Sequence, residues 1–116
     1  MKTYTGGCHC GKVRYEVSMD LQKVMTCNCS HCHKKGFVLS FVPASQFKLL
    51  SGNDNLSEYR FNKKKIQHLF CKTCGTQSFG RGKAPDGSDT VMVNVRCLDD
   101  VDFSKLPSTE FNGKDY

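Results

Sequence analysis

Short stretches of alternating apolar and polar residues recur along the chain, separated by turn residues. In residues 12–18, Val13, Tyr15 and Val17 share one face while Lys12, Arg14 and Glu16 share the other. That alternation predicts a half-buried strand. Residues 90–97 repeat the pattern, with Val91, Val93 and Val95 set against Met92, Asn94 and Arg96. Residues 36–42 are a dense apolar and aromatic run, which predicts a buried strand stopped by Pro43. Weaker strands are expected over residues 23–26, 47–50, 56–61 and 66–70. Ser30 stands where it would cap one helical turn running through Cys32 to Lys35, and Gly36 would end it. Residues 43–47, 51–55, 62–65 and 81–89 read as turns or loops, and 77–80 as a short extended piece. The tail from Asp99 onward reads as irregular. Many short strands with one helical turn predict an all-β fold, with residues 1–116 as a single domain.

Eight cysteines in 116 residues change this picture. Residues 1–7 hold one lysine and no apolar run, so no secretory leader is expected, and no later apolar run reaches membrane-spanning length. The expectation is a cytoplasmic protein whose thiols stay reduced, so that grouped cysteines point to metal or redox chemistry.

Seven of the eight fall into three groups: Cys8 with Cys10, Cys27 with Cys29 and Cys32, and Cys71 with Cys74. Three thiolates within six residues suit one metal ion better than a disulfide. On zinc they would leave a fourth tetrahedral position for water or substrate, as catalytic sites do. Four plus three is the natural partition: Cys8, Cys10, Cys71 and Cys74 in a closed structural site, and Cys27, Cys29 and Cys32 in an open one. Three alternatives stay open at this stage. Cys8 and Cys10 could share an ion with the middle group. His31 or His33 could close the second site and make all seven cysteines structural. Cys71 and Cys74 could be a redox pair. The formal charge of +6 suggests an anionic partner. Seven thiolates on two divalent ions would lower it to about +3, which fits a small anionic substrate better than nucleic acid.

The remaining candidates read more plainly. Cys97 is expected to be a small buried hydrophobe. His9 and His68 read as surface or loop residues, and Asp99, Asp100 and Asp102 as turn caps. Lys34, Lys35 and the Lys63–Lys65 turn are the cations available to hold a carboxylate. Phe37, Phe41, Phe79 and Arg96 lie close enough to the motifs to line a pocket. No general base stands out.

Four motifs in order resemble the glutathione-dependent formaldehyde-activating enzyme family, which includes the domain of centromere protein V. They are Gly7-Cys8-x-Cys10-Gly11-x-Val13-x-Tyr15, Cys27-x-Cys29-Ser30-x-Cys32, Phe70-Cys71-x-x-Cys74-Gly75-Thr76-Gln77 and Asn94-Val95-Arg96-Cys97-Leu98-Asp99. The resemblance implies a β-tent fold with two zinc ions. It implies a structural site at Cys8, Cys10, Cys71 and Cys74 and a catalytic site at Cys27, Cys29 and Cys32. The implied activity is that of a carbon–sulfur lyase, adding the thiol of glutathione to formaldehyde. The implied partners are small thiols and aldehydes. The lack of a spanning apolar run points away from a membrane, and the scattered placement of the basic residues points away from nucleic acid. The competing readings are a non-catalytic zinc module for a protein or nucleic-acid partner, and a lyase for another thiol.

Overall fold

The computed structural model describes residues 1–60 and 66–112. The fold is mostly β. Its ten described strands are β1 (Lys2–Gly7), β2 (Arg14–Met19), β3 (Val24–Cys27), β4 (Leu39–Pro43), β5 (Phe47–Ser51), β6 (Leu56–Tyr59), β7 (Gln67–Cys71), β8 (Phe79–Lys83), β9 (Asp89–Asn94) and β10 (Ser108–Phe111). One α-helix, α1 (Ser30–Lys35), joins β3 to β4. The strands form a three-stranded sheet, in the order β1-β2-β5, and a seven-stranded sheet, in the order β10-β3-β4-β9-β8-β7-β6.

The strong alternations land where the pattern puts them. Val13, Tyr15 and Val17 are fully buried beneath the small sheet, and Val91, Val93 and Val95 beneath the large one. Three rings join the two sheets. Tyr15 lies 4.9 Å from Phe47, Phe47 4.7 Å from Phe79, and Tyr15 5.9 Å from Phe79 in an edge-on contact. The tilted and edge-on geometry is what ring quadrupoles favour. The Tyr15 hydroxyl donates to the Ser78 carbonyl at 3.3 Å, so its polar end is satisfied inside the core.

Several boundaries differ from expectation. Residues 2–7, assigned no element from sequence, form β1, zipped antiparallel onto β2 from Lys2 opposite Met19 to Gly7 opposite Arg14. Residues 81–83 belong to β8 and not to a loop; β8 and β9 form a hairpin from Phe79 opposite Val93 to Lys83 opposite Asp89. The tail is not irregular throughout, because Ser108–Phe111 adds β10 in parallel to β3. β9 stops at Asn94, three residues before the predicted end. There the Asn94 side chain accepts the Arg96 N–H at 3.2 Å and starts a 3₁₀ turn over Val95–Cys97. β4 begins at Leu39, after the αL Gly36 that ends α1.

Candidate metal centres and the clefts beside them

The fold brings the seven grouped cysteines together as two clusters. Cys8 and Cys10 sit in the loop between β1 and β2. Cys71 ends β7, and Cys74 lies in the turn that follows, closed by a Gly75 N–H bond to the Cys71 carbonyl at 2.9 Å. Gly75 takes φ +78°, a conformation that suits glycine. The four sulfurs lie within 4.8 Å of one another. Cys10 Sγ is 3.6 Å from both Cys8 Sγ and Cys71 Sγ. That is far beyond the roughly 2.0 Å of a disulfide bond. It is close to the about 3.8 Å between two sulfurs sharing a tetrahedral zinc with Zn–S bonds of about 2.3 Å.

Donors surround these sulfurs. Val13 N–H points at Cys8 Sγ (3.4 Å), and Thr73 N–H (3.4 Å) and Asn55 Nδ2 (3.3 Å) point at Cys71 Sγ. Hydrogen bonds from Thr76 pull the Cys74 thiol down to about 5, and the Cys74 N–H holds Cys71 below its ordinary value. Thiolates are therefore favoured at Cys71 and Cys74. Cys10, despite the Lys12 N–H that favours its thiolate, is raised to about 11 by desolvation and the neighbouring thiols. The four-sulfur donor set fits zinc.

Cys27 ends β3, Cys29 precedes α1, and Cys32 lies inside it; their sulfurs also fall within 4.8 Å of one another. The helix cap differs from the sequence expectation. Cys29, not Ser30, is the N-cap, and its Sγ accepts the Cys32 N–H at 3.3 Å. The helix thus begins on a sulfur of the cluster. Gly36, in the αL conformation at φ +70°, ends it and donates to the Cys32 carbonyl at 3.0 Å. Burial pushes the Cys27 and Cys32 thiols upward. Burial also opposes ionisation of Cys29, but the Cys32 N–H and the neighbouring thiols bring it below its ordinary value.

Among the described residues no histidine or carboxylate joins either cluster. His31 turns away from the sulfurs. Its ring stacks on Tyr59 (5.5 Å, 20° between planes) and contacts His68 (4.1 Å) and Phe37 (5.8 Å). The surface reading of His68 is wrong: the residue is 3% exposed, at the second position of β7. Burial, with His31 and Lys35 nearby, lowers His68 to about 4. Burial and Lys35 lower His31 as well. Both imidazoles are neutral near pH 7.

Clefts flank the three-cysteine cluster. One, of about 590 Å³, is walled by His31, Tyr59 and Phe70, with Lys34 and Lys35 at its edge and Gln77 at its base. A second, of about 540 Å³, includes Cys27 and Cys32 together with His33, Arg96 and Glu110. Arg96 is held in place there. Its Nε donates to the Gly36 carbonyl at 3.2 Å, and its guanidinium lies 4.7 Å over the Phe103 ring. Between them a chamber of about 10 Å³ is lined by Cys32, Phe37, His68, Gln77 and Phe79 among others.

Of the pocket residues read from sequence, Phe37, Phe79 and Arg96 line these cavities. Phe41 lines none of the three and is 44% exposed. The Lys63–Lys65 turn lies outside the described residues. Cys97 stands apart from both clusters, half-buried, its thiol raised to about 11 by burial. Asp99 pairs with Arg14 and accepts from Thr5 at 2.8 Å, away from the clefts. Asp102 caps the 3₁₀ turn at Phe103–Lys105. Sequence reasoning gave His68 and Gln77 no role. The only signals were the alternation around His68 and the place of Gln77 directly after the Cys74-Gly75-Thr76 turn.

Residues 3–113 match the family model of the glutathione-dependent formaldehyde-activating enzyme. The chain belongs to this family. Its fold is also that of a solved structure, a protein from Rhodobacter sphaeroides. The two share 29% sequence identity with a TM-score of 0.78, over 90% of this chain and 99% of the other. Family membership ties the chain to small-thiol and formaldehyde chemistry at a zinc-binding scaffold. No helix among the described residues is long and apolar enough to cross a membrane.

Proposed function

We propose that the protein is a zinc-dependent carbon–sulfur lyase that reversibly adds a thiol, glutathione or a similar molecule, to formaldehyde. Cys27, Cys29 and Cys32 hold the reacting zinc ion, and Cys8, Cys10, Cys71 and Cys74 hold a structural one. The observation that carries this reading is a cluster of three sulfurs, with no fourth protein ligand among the described residues, opening onto the clefts. A zinc ion so held supplies Lewis acidity and lowers the pKa of a thiol or water that takes its fourth position.

The chain's own residues supply the rest. A sulfur–carbon bond forms between the thiol and formaldehyde, the carbonyl π pair moves to oxygen, and that oxygen takes up the proton the thiol gave. Lys34, Lys35 and Arg96 offer positive charge at the cleft edges for substrate carboxylates. Arg96 is best prepared, because its bond to Gly36 and its stack on Phe103 fix the guanidinium before a ligand arrives. His31, Tyr59 and Phe70 form an aromatic wall that keeps the body of the substrate out of water. His31 and His68 are neutral and add no competing charge. Holding both reactants beside one centre also supplies proximity.

A panel of thiols, each mixed with formaldehyde and the zinc-loaded protein, tests this reading. Faster adduct formation with at least one carboxylate-bearing thiol, lost in Cys32→Ser, is the expected result. Binding to a protein or nucleic-acid partner without acceleration of any thiol would favour a non-catalytic zinc module.

A further inference from the structure

One buried polar atom has no use in the account above. Gln77 is 6% exposed. Its side-chain nitrogen faces the Phe79 carbonyl at 3.5 Å and His68 Nδ1 at 3.4 Å. A backbone carbonyl only accepts, so the nitrogen belongs on that side and Oε1 on the other. His68 Nδ1 is then an acceptor, and the His68 proton sits on Nε2. Oε1 is buried, and no group among the described residues donates a hydrogen bond to it. Buried acceptors are almost always satisfied, so an exception beside a candidate site points to a ligand.

The surroundings narrow what that ligand offers. Gln77 walls both the 590 Å³ cleft and the 10 Å³ chamber that reaches Cys32. The chamber has room for about one water or one hydroxyl. Phe37, Leu39, Phe79 and Met92 make the rest of it largely apolar. Oε1 needs a donor. A thiolate has none, and the oxygen of free formaldehyde only accepts. The hydroxymethyl group of an S–CH₂–OH adduct carries an O–H, as does hydrated formaldehyde.

We propose that Gln77 Oε1 is the acceptor for the hydroxyl of a one-carbon –CH₂OH group seated between the cleft and Cys32. It thereby distinguishes the hydroxymethyl adduct from the bare thiol and from free aldehyde. This rests on the lyase reading above and adds a specificity-determining residue to it. A site built around a buried hydrogen bond to a hydroxyl discriminates strongly against ligands that lack it.

The test uses the zinc-loaded full chain with the Gln77 side chain ¹³C-labelled at Cδ, and measures ligand affinity by calorimetry. The probes are glutathione alone, formaldehyde alone, and glutathione with excess formaldehyde. The adduct is expected to move the Gln77 Cδ resonance, and glutathione alone to leave it in place. A shift with formaldehyde alone would assign the hydroxyl to the hydrate instead of the adduct. Gln77→Met, which keeps length but removes the acceptor, is expected to weaken adduct binding about tenfold or more, with glutathione affinity changed less than twofold. Gln77→Glu keeps an acceptor and is expected to retain the preference.

Equal affinities in wild type and Gln77→Met, with a stationary Cδ signal, would overturn the proposal in favour of a buried water on Oε1. Should Gln77→Met fail to fold, the wild-type Cδ shift decides alone. A wild-type protein with two zinc ions that binds neither glutathione nor adduct would overturn the lyase reading itself, and this proposal with it. Glutathione binding with no preference for the adduct would overturn only the Gln77 assignment.

Discussion

At the scale of single residues, the seven cysteines divide by their surroundings. Donors to Cys71 and Cys74 prepare thiolates before any ion arrives, whereas burial keeps Cys27 and Cys32 protonated until one does. Zinc entering either cluster must displace protons, from Cys27 and Cys32 in one and from Cys10 in the other, so its affinity at both is expected to rise with pH. Cys32→Ser should drop the zinc content from two ions to one and leave the fold intact, read by elemental analysis and circular dichroism together.

His68 makes a second prediction at this scale. Its pKa is about 4 in the fold, against an ordinary value near 6.5. Between those values the unfolded chain binds the proton and the folded one does not. His68 therefore weakens the fold progressively as pH falls from about 6.5 towards about 4. Across that range the melting temperature of wild type should fall relative to that of His68→Gln as the pH drops; a constant difference between them would contradict it.

The grouping of cysteines was legible because ligand spacing is local. His68 and Gln77 were not, because their burial depends on β7 pairing with β6 and β8 and on α1 laying His31 against them.

At the scale of elements, legibility followed side-chain patterning. β2 announces itself through fully buried Tyr15 and Val17, with Val13 just before it, and β9 through fully buried Val91 and Val93, with Val95 just after it. β1, β8 and β10 do not, since their sequences are rich in glycine or polar residues and they exist through pairing. In β8 a Cβ on Gly80 would press on the flexible end of Met92 at 2.7 Å and come within 3.1 Å of the Gln67 carbonyl, whereas Gly82 has room for one. β10 has all four residues exposed to solvent and is held by its parallel register with β3, from Ser108 opposite Val24 to Phe111 opposite Cys27. It thereby braces the strand that delivers the first cysteine of the open cluster.

The turn after β5 carries the prediction at this scale. Gly52 adopts φ +88°, and a Cβ there would meet the Lys12 carbonyl at 2.5 Å and Val13 Cα at 2.8 Å. Gly52→Ala is expected to cost about 1–3 kcal/mol of stability, from strain and displaced backbone. It should leave zinc content unchanged. A denaturant titration measures the loss, and an unshifted midpoint would contradict the geometry.

At the scale of the molecule, two features join the sheets: the Tyr15, Phe47 and Phe79 rings, and the four-cysteine cluster that clamps the β1–β2 loop to the end of β7. A small domain gains much from such a clamp, since structural zinc contributes on the order of 10 kcal/mol. Cys71→Ser, or exhaustive chelation, should therefore unfold the chain or lower its melting temperature severely, whereas Cys32→Ser should not. The same architecture opens the second cluster, through Cys27 and Cys32, onto the cleft that holds Arg96, while Lys34 and Lys35, on the same helix as Cys32, edge the other cleft.

The claim that this second cluster turns over thiol and formaldehyde is tested most directly by magnetisation-exchange NMR. Formaldehyde, glutathione and their hydroxymethyl adduct are brought to equilibrium, and the exchange rate is compared with and without the zinc-loaded protein. Because the reaction also proceeds uncatalysed, the rate and not the yield is the observable. The account predicts faster exchange that vanishes in Cys32→Ser. Unchanged exchange across the thiol panel, in protein carrying two zinc ions, would contradict it.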